Sequence, residues 1–294
     1  MSRRMQVLAW LAAVAALPVA AGADAPLSIY DVQYTTAADG AGPHEGETID
    51  CAGGVVTHKW LGGQGRLYLQ DPARTEWGGV LVKDWTGGGL YNAVAVGDWV
   101  SVGGVYVEEH RGNTTLRYDS SYGSTHTVVS SGNPLPAPIA VSPAAIAAPT
   151  EGPPGEWYVA DHSAEKYEHM RLRVDDVTVT ATDLGKAADN YNLHAAGGDC
   201  WAADYLNLDV GPDGYHPSIH LGADLAGVTG VFEQYTKLTS GWDYYQLVTT
   251  KSADIVPEPG LPALLLAVGL ARAGRRRNLP LRPRRRRLPW RTHA

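Results

Sequence analysis

The sequence predicts an all-β protein made of two tandem five-stranded closed barrels, with short helical signals at both termini. Three observations lead there. Between residues 24 and 256 helical periodicity is almost lacking, and short runs of β-branched and aromatic residues bounded by glycine take its place: GGVVTHKW, GRLYLQD, GGVLVKDW, DWVSVGGVYVEE and TTLRYD, then MRLRVDDVTVTA, DNYNLHA, DYLNLDV, AGVTGVFEQY and DYYQLVTT. Strand runs with turn signals at this spacing belong to small antiparallel sandwiches or barrels. The runs also come as five and five, and they align. Residues 45–49 before GGVVT match 167–172 before DDVTVT, and Gly104-Val105-Tyr106 matches Gly230-Val231-Phe232. Finally, the halves 24–149 and 150–256 are each of a size for one closed barrel, and 44% hydrophobic residues suffice to fill two cores.

Taken in order, residues 1–23 read as a secretory signal peptide. A basic head (Arg3, Arg4) precedes the apolar run VLAWLAAVAALPVA and the small-x-small site Ala21-Gly22-Ala23. The run is short for a membrane span, and the expected cut follows Ala23. The first barrel follows, and residues 132–155 then form a linker with seven prolines. Such a stretch cannot pair as a central strand and is expected to lie extended over the surface. The second barrel runs to 256, and residues 257–294 form a further signal with a basic tail.

Charge separates the working part from the signals. The whole chain carries −7, but ten arginines lie in the last 38 residues and two in the first 25. Residues 24–256 hold twelve basic side chains against thirty acidic ones, a body of −18. That field repels a phosphate backbone, so nucleic acid is an unfavoured partner.

At the C-terminus, Pro257, Glu258 and Pro259 precede an apolar run from Leu261 to Leu270 and the cluster Arg275 to Arg277. This arrangement resembles the PEP-CTERM sorting signal of exported bacterial proteins. The resemblance implies an exosortase-type processing enzyme as partner and transient membrane association through the C-terminal segment. It also implies export across the inner membrane of a Gram-negative-type bacterium, to the cell surface or beyond. Two features depart from the pattern: Arg272 breaks the apolar run well below the ~20 residues a spanning helix needs, and the chain continues through LPLRPRRRRLPW.

A second resemblance rests on IYDVQY, EGETIDCAGGVVT, Leu69-Gln70-Asp71, WGGVLV and Val96-Gly97-Asp98-Trp99-Val100. These resemble the OB-fold-like modules that precede the catalytic domain of secreted bacterial endonuclease/exonuclease proteins, and the repeat extends the likeness to the second half. No stretch of the chain between module two and the sorting signal could hold a phosphodiesterase domain. The resemblance therefore implies an accessory module without the enzyme.

No nucleophile elbow, P-loop or dinucleotide glycine motif occurs in the sequence, so catalysis has no visible carrier and no cofactor is expected. Fifteen Tyr and nine Trp stand against one Phe. Trp60, Trp85 and Trp242 sit in glycine-rich turns and are the candidates for exposed rings that contact an extracellular polysaccharide or a protein partner. The nucleic-acid-binding accessory remains the alternative.

Asp204, Asn207, Asp209 and Asp213 concentrate oxygen ligands. They read first as a solvated acidic loop, with calcium as the alternative, because their spacing is not that of an EF-hand. His216 and His220 are four apart but lack the glutamate of a zinc helix, and they read as loop histidines. Cys51, placed in a strand, and Cys200, placed in a loop, are either a bridge between the modules or buried free thiols.

Overall fold

The computed structural model describes residues 25–210 and 214–258. Residues 1–23, expected to be a signal peptide, and Asp213, Pro259 and the basic tail lie outside the described residues. Among those described, no helix is long and apolar enough to cross a membrane.

The first sheet is formed by β1 (Thr48–Gly62), β2 (Gln64–Gln70), β3 (Gly79–Asp84), β4 (Trp99–His110), β5 (Asn113–Tyr118) and β6 (Thr125–Ser130). Two short helices, α1 (Ile29–Gln33) and α2 (Gly89–Ala93), accompany it. Pairing runs β1-β2-β3-β5-β4 and returns from β4 to β1, with β3 and β5 parallel. This closed order of five strands is the OB arrangement, and β6 is added as an outer strand on β4.

Closure requires β1 to serve two partners. Its first half pairs with β4 and its second half with β2, and the register shifts between Cys51 and Gly54. At that bend Gly53 has φ +69°, and a Cβ there would collide with the Val100 carbonyl. Only glycine lets the strand turn the barrel corner so closely.

The connector carries β7 (Ile139–Ala140), β8 (Thr150–Glu151) and β9 (Trp157–Tyr158). The prolines leave room for two-residue edge pairings alone, as their missing N–H groups demand. The connector also does more than lie on the surface, because Ile146 is buried in the core of the second barrel.

The second barrel repeats the order. Here β10 (Arg171–Leu184), β11 (Asn190–Ala195), β12 (Gly198–Ala203), β13 (Asp224–Lys237) and β14 (Trp242–Val248) pair as β10-β11-β12-β14-β13, and β13 returns to β10. The β12–β14 pair is parallel, and β15 (Ile255–Pro257) closes the edge of β13. The long strand β10 makes its corner with Asp176 at φ +50°, a conformation aspartate tolerates better than most residues.

Period-two alternation fills both interiors. Leu67, Leu69, Val80, Val82, Val105 and Leu116 meet in the first core, and Leu172, Val174, Leu193, Phe232 and Leu247 in the second. A third cluster lies between the barrels, where Tyr68 and Leu81 from the outer face of β2–β3 pack on Ala203, Leu206, Val231 and Val248. Both faces of β3 are therefore buried. Hydrogen bonds cross the same seam: Arg171 N donates to Gln70 Oε1 at 2.9 Å, Asn113 Nδ2 to Gln234 O at 2.6 Å, and Trp77 N to Lys166 O at 2.6 Å.

The seam also holds buried acids. Glu168 Oε2 accepts from Thr114 N at 3.1 Å and from Gln33 Nε2 at 3.3 Å, while Glu165 Oε2 accepts from Tyr245 OH at 2.7 Å. Burial pushes Glu165 up to about 8 and Glu168 well above the usual carboxylate range. His169 Nε2 lies 3.5 Å from Glu168 Oε2, yet burial drives the imidazole well below its ordinary value. Both groups are pushed to their neutral forms, so the pair is not an ion pair.

Candidate functional site: a cleft between the barrels

Side chains on the outer face of an OB barrel's second and third strands, with the loops joining strands 1–2 and 4–5, are those that contact ligands in this fold. In the first barrel that face is mostly covered by the second barrel, and at its rim a cleft of about 410 Å³ remains. The volume falls in the range of roughly 300–1,000 Å³ common to small-molecule sites.

The antiparallel register builds the walls. On β2–β3, Arg66 is directly opposite Lys83, and on β13–β14, Glu233 is opposite Gln246 and Tyr235 opposite Tyr244. Arg111, in the tight β4–β5 turn with φ +63°, and Lys186 and Asp189, in the β10–β11 loop, line the mouth together with His110. Trp60 from β1 and Tyr205 beyond β12 complete the lining.

One carboxylate is fixed at the base. Glu233 accepts from the Tyr68 hydroxyl on Oε1 and from the Tyr205 hydroxyl on Oε2, with the Arg66 guanidinium 3.8 Å away. Burial, reinforced by Glu233, raises both phenols well above their ordinary value, so they stay protonated donors. Burial acts the opposite way on Lys83 and pushes it down to about 8, although Glu108 stands 4.0 Å off. Burial also disfavours the charge on Arg66, but Tyr68, Glu233 and Tyr205 outweigh that and raise its pKa.

Of the three tryptophans expected to be exposed, the cleft takes in Trp60. Its ring meets Tyr205 edge-on with centroids 6.3 Å apart, the Arg66 guanidinium lies 4.9 Å above it, and it folds over Gly62, where any Cβ would strike the ring. Trp85 is 41% exposed and lies outside the cleft lining, with Arg117 4.4 Å over its face. Trp242 is half-buried: its Nε1 donates to Gly155 O at 3.1 Å and its ring lies against Tyr235 at 6.3 Å.

The oxygen-rich stretch does not converge. Asp204 is buried and spends its carboxylate on Tyr191 OH, Thr249 Oγ1 and His216 N at 2.7–2.9 Å. Asn207 Oδ1 accepts from Asp209 N, and Asp209 Oδ2 accepts from Ser252 N. Asp204 and Asn207 are therefore part of a buried hydrogen-bonded brace while Asp209 is exposed in a turn, and among the described residues no group of His, Cys, Asp or Glu is arranged to hold a metal ion. His216 and His220 lie in the turns before β13, outside any helix.

Cys51 and Cys200 are free thiols in different cores. The bridge between modules does not form, because each side chain points into its own barrel. Cys200 sits in β12 rather than in a loop. Burial raises both thiols, Cys51 to about 11, which leaves them unreactive. In the Pro257-Glu258-Pro259 triad, Pro257 pairs with Leu225 at the end of β15, and Glu258 N donates to Asp224 O at 3.1 Å.

Arg66, Lys83, Arg111, Lys186, Glu233 and the three tyrosines of the cleft escaped the sequence reading. One available signal was a charged residue alternating with core residues on strands 2 and 3, as in Arg66-Leu67-Tyr68-Leu69 and Val80-Leu81-Val82-Lys83.

No protein-family model and no curated protein matches the sequence. Among solved structures, a chain of a replication protein A heterotrimer bound to single-stranded DNA is similar over 78% of this chain and 70% of its own, at 10% identity and a TM-score of 0.22. The fold assignment rests on the strand pairings themselves.

Proposed function

We propose that the protein is an exported, non-catalytic binding protein that holds an extracellular polysaccharide in the cleft between its barrels. The observation that carries this reading is the meeting of Trp60, Tyr205, Tyr235 and Tyr244 with polar side chains in one cavity at the ligand face of the first barrel. Aromatic faces beside hydrogen-bonding groups suit sugar rings, which present apolar faces and hydroxyl edges. A binding role fits the state of Glu233, whose two oxygens are both engaged by tyrosine hydroxyls and which is therefore not free as a general base. Export belongs to the same proposal: the signal of residues 1–23 directs secretion, and the Pro257-Glu258-Pro259 signal directs exosortase-type processing at the membrane before display at the surface.

The test is titration of the purified protein with neutral and acidic oligosaccharides, followed by calorimetry, with chromatography of the sugar after prolonged incubation. Saccharide binding that Trp60→Ala weakens about tenfold, the scale of a truncated ring at a binding hot spot, with the sugar recovered intact, is the expected outcome. Released fragments of sugar would remove the non-catalytic reading.

A second reading draws on the same composition. Arg66 over Trp60 and Arg111 5.9 Å from the Tyr235 ring are the ring-and-cation pairs that single-stranded nucleic acid uses. The body charge of −18 opposes it. Binding of a short oligodeoxythymidine with a steep salt dependence would favour it over the saccharide.

A further inference from the structure

We propose that the unit held in the cleft is an acidic sugar, a pyranose bearing a carboxylate, and that Arg66, Lys83, Arg111 and Lys186 select it. The inference rests on the cleft being the saccharide site. Charge and register, rather than the rings, single out these four side chains.

Twelve basic side chains are spread over the 233 residues of the body, and four of them converge on this one cavity. Against Glu233 and Asp189 in the lining and Glu108 beside Lys83 they leave a local charge of +1 in a molecule whose body carries −18. A concave, partly desolvated patch of opposite sign to its surroundings concentrates field lines and attracts an anion the rest of the surface repels.

The register makes the point sharper. Arg66 and Lys83 are direct cross-strand neighbours, a placement in which like charges destabilise a sheet. The carboxylates near them stand at 3.8 and 4.0 Å, beyond hydrogen-bonding distance. Burial already works against the ammonium of Lys83, and a carboxylate in the cleft would offset that cost. Each cation's nearest carboxylate stops short of hydrogen-bonding distance, which leaves both able to take an incoming anion.

A carboxylate fits better than a phosphate. The planar fork of Arg66 matches two carboxylate oxygens, and a single negative charge places less repulsion beside Glu233 and Asp189 than a dianion does. The sugar ring would then lie between Trp60 and Tyr235, both of which line the cleft.

The experiment titrates the intact protein with digalacturonic acid, its methyl ester and glucose 1-phosphate, in the parent and in Trp60→Ala and Arg111→Gln/Lys186→Gln variants. The double variant changes exposed loop residues, and its melting curve checks that it folds. The acid is expected to bind about tenfold or more tighter than the ester at low salt, the scale of one charge-assisted hydrogen bond. That advantage should shrink as salt rises and in the double variant. Equal affinity for acid and ester, both weakened by Trp60→Ala, overturns the acidic selection and leaves the saccharide site standing. Binding of none of the probes in a Trp60-dependent way removes the site reading itself. Tighter binding of glucose 1-phosphate than of the acid overturns the choice of carboxylate.

Discussion

In the first barrel the outward side chains of the second and third strands are Arg66, Tyr68, Leu81 and Lys83, and the second barrel lies over them. In the second barrel the matching pairs on β11 and β12 are Asn192 opposite Trp201 and His194 opposite Asp199. There the connector packs Trp157 against Trp201 at 4.8 Å, while His194 and Asp199 stay near solvent and hydrogen-bond each other at 3.0 Å. The inner faces are alike, because both barrels need the same alternation to fill a core. The outer faces have diverged, and that divergence made one of them into a seam with a cleft. Equivalent strands thus teach little about ligand contact until one knows what covers them.

The comparison can be broken most sharply at Tyr68. Its ring is fully buried between the barrels and its hydroxyl holds Glu233. Tyr68→Ala is expected to cost about 3–5 kcal/mol, as for other large buried aromatics, read as a fall in the thermal or denaturant midpoint. His194→Ala on the matching face of the second barrel is expected to stay within about 0.5 kcal/mol. Equal losses at the two positions would mean the faces are not energetically distinct.

The acids of the seam sharpen the comparison further. The Glu165 carboxyl is raised by burial, and Glu109, Asp243 and Asp39 add to it, while the Tyr245 hydroxyl pulls the other way. A folded-state value near 8 against an unfolded value near 4.5 means that the folded protein holds the extra proton between them. Stability is therefore expected to be fullest below about pH 4.5 as far as this group is concerned, and to fall as pH rises towards about 8. Melting curves across that interval should show the slope, and Glu165→Gln should flatten it.

The smallest effect is expected at Trp85. Its exposed ring stacks with Arg117, and Trp85→Ala should cost about 0.5–1 kcal/mol, the worth of an exposed cation–π contact. Saccharide affinity should not change. A loss of affinity comparable to that of Trp60→Ala would extend the site beyond the cleft.

Much of the architecture was legible from residue order alone. Glycine-bounded runs marked the strands, and the aligned glycines of β4 and β13 marked the duplication. Cys200 was misplaced because Gly-Gly-Asp before it reads as a loop, yet Ala196 and Gly197 alone make the hairpin turn and β12 begins at once at Gly198. The seam was illegible for a different reason. Alternation reports that Arg66 and Lys83 face away from their own core, but says nothing of a second barrel arriving over the same face. Trp60 was singled out as part of an exposed glycine-rich turn, yet it lies half-buried near the end of β1; the tyrosines that share the cleft with it, Tyr205, Tyr235 and Tyr244, come from 145 or more residues further along the chain.

The covering of β2–β3 by β13–β14 also sets an order of events. The first barrel contains all five of its strands by residue 118, whereas the residues that cover its outer face run from Ala203 to Val248. During synthesis or refolding, Tyr68 and Leu81 must therefore wait uncovered on a completed barrel until more than a hundred further residues have arrived. Contacts of such long sequence separation form slowly, and bare apolar strand faces invite association while they wait. The charged pair Arg66 and Lys83 borders one end of that apolar patch and stands beside it while it waits.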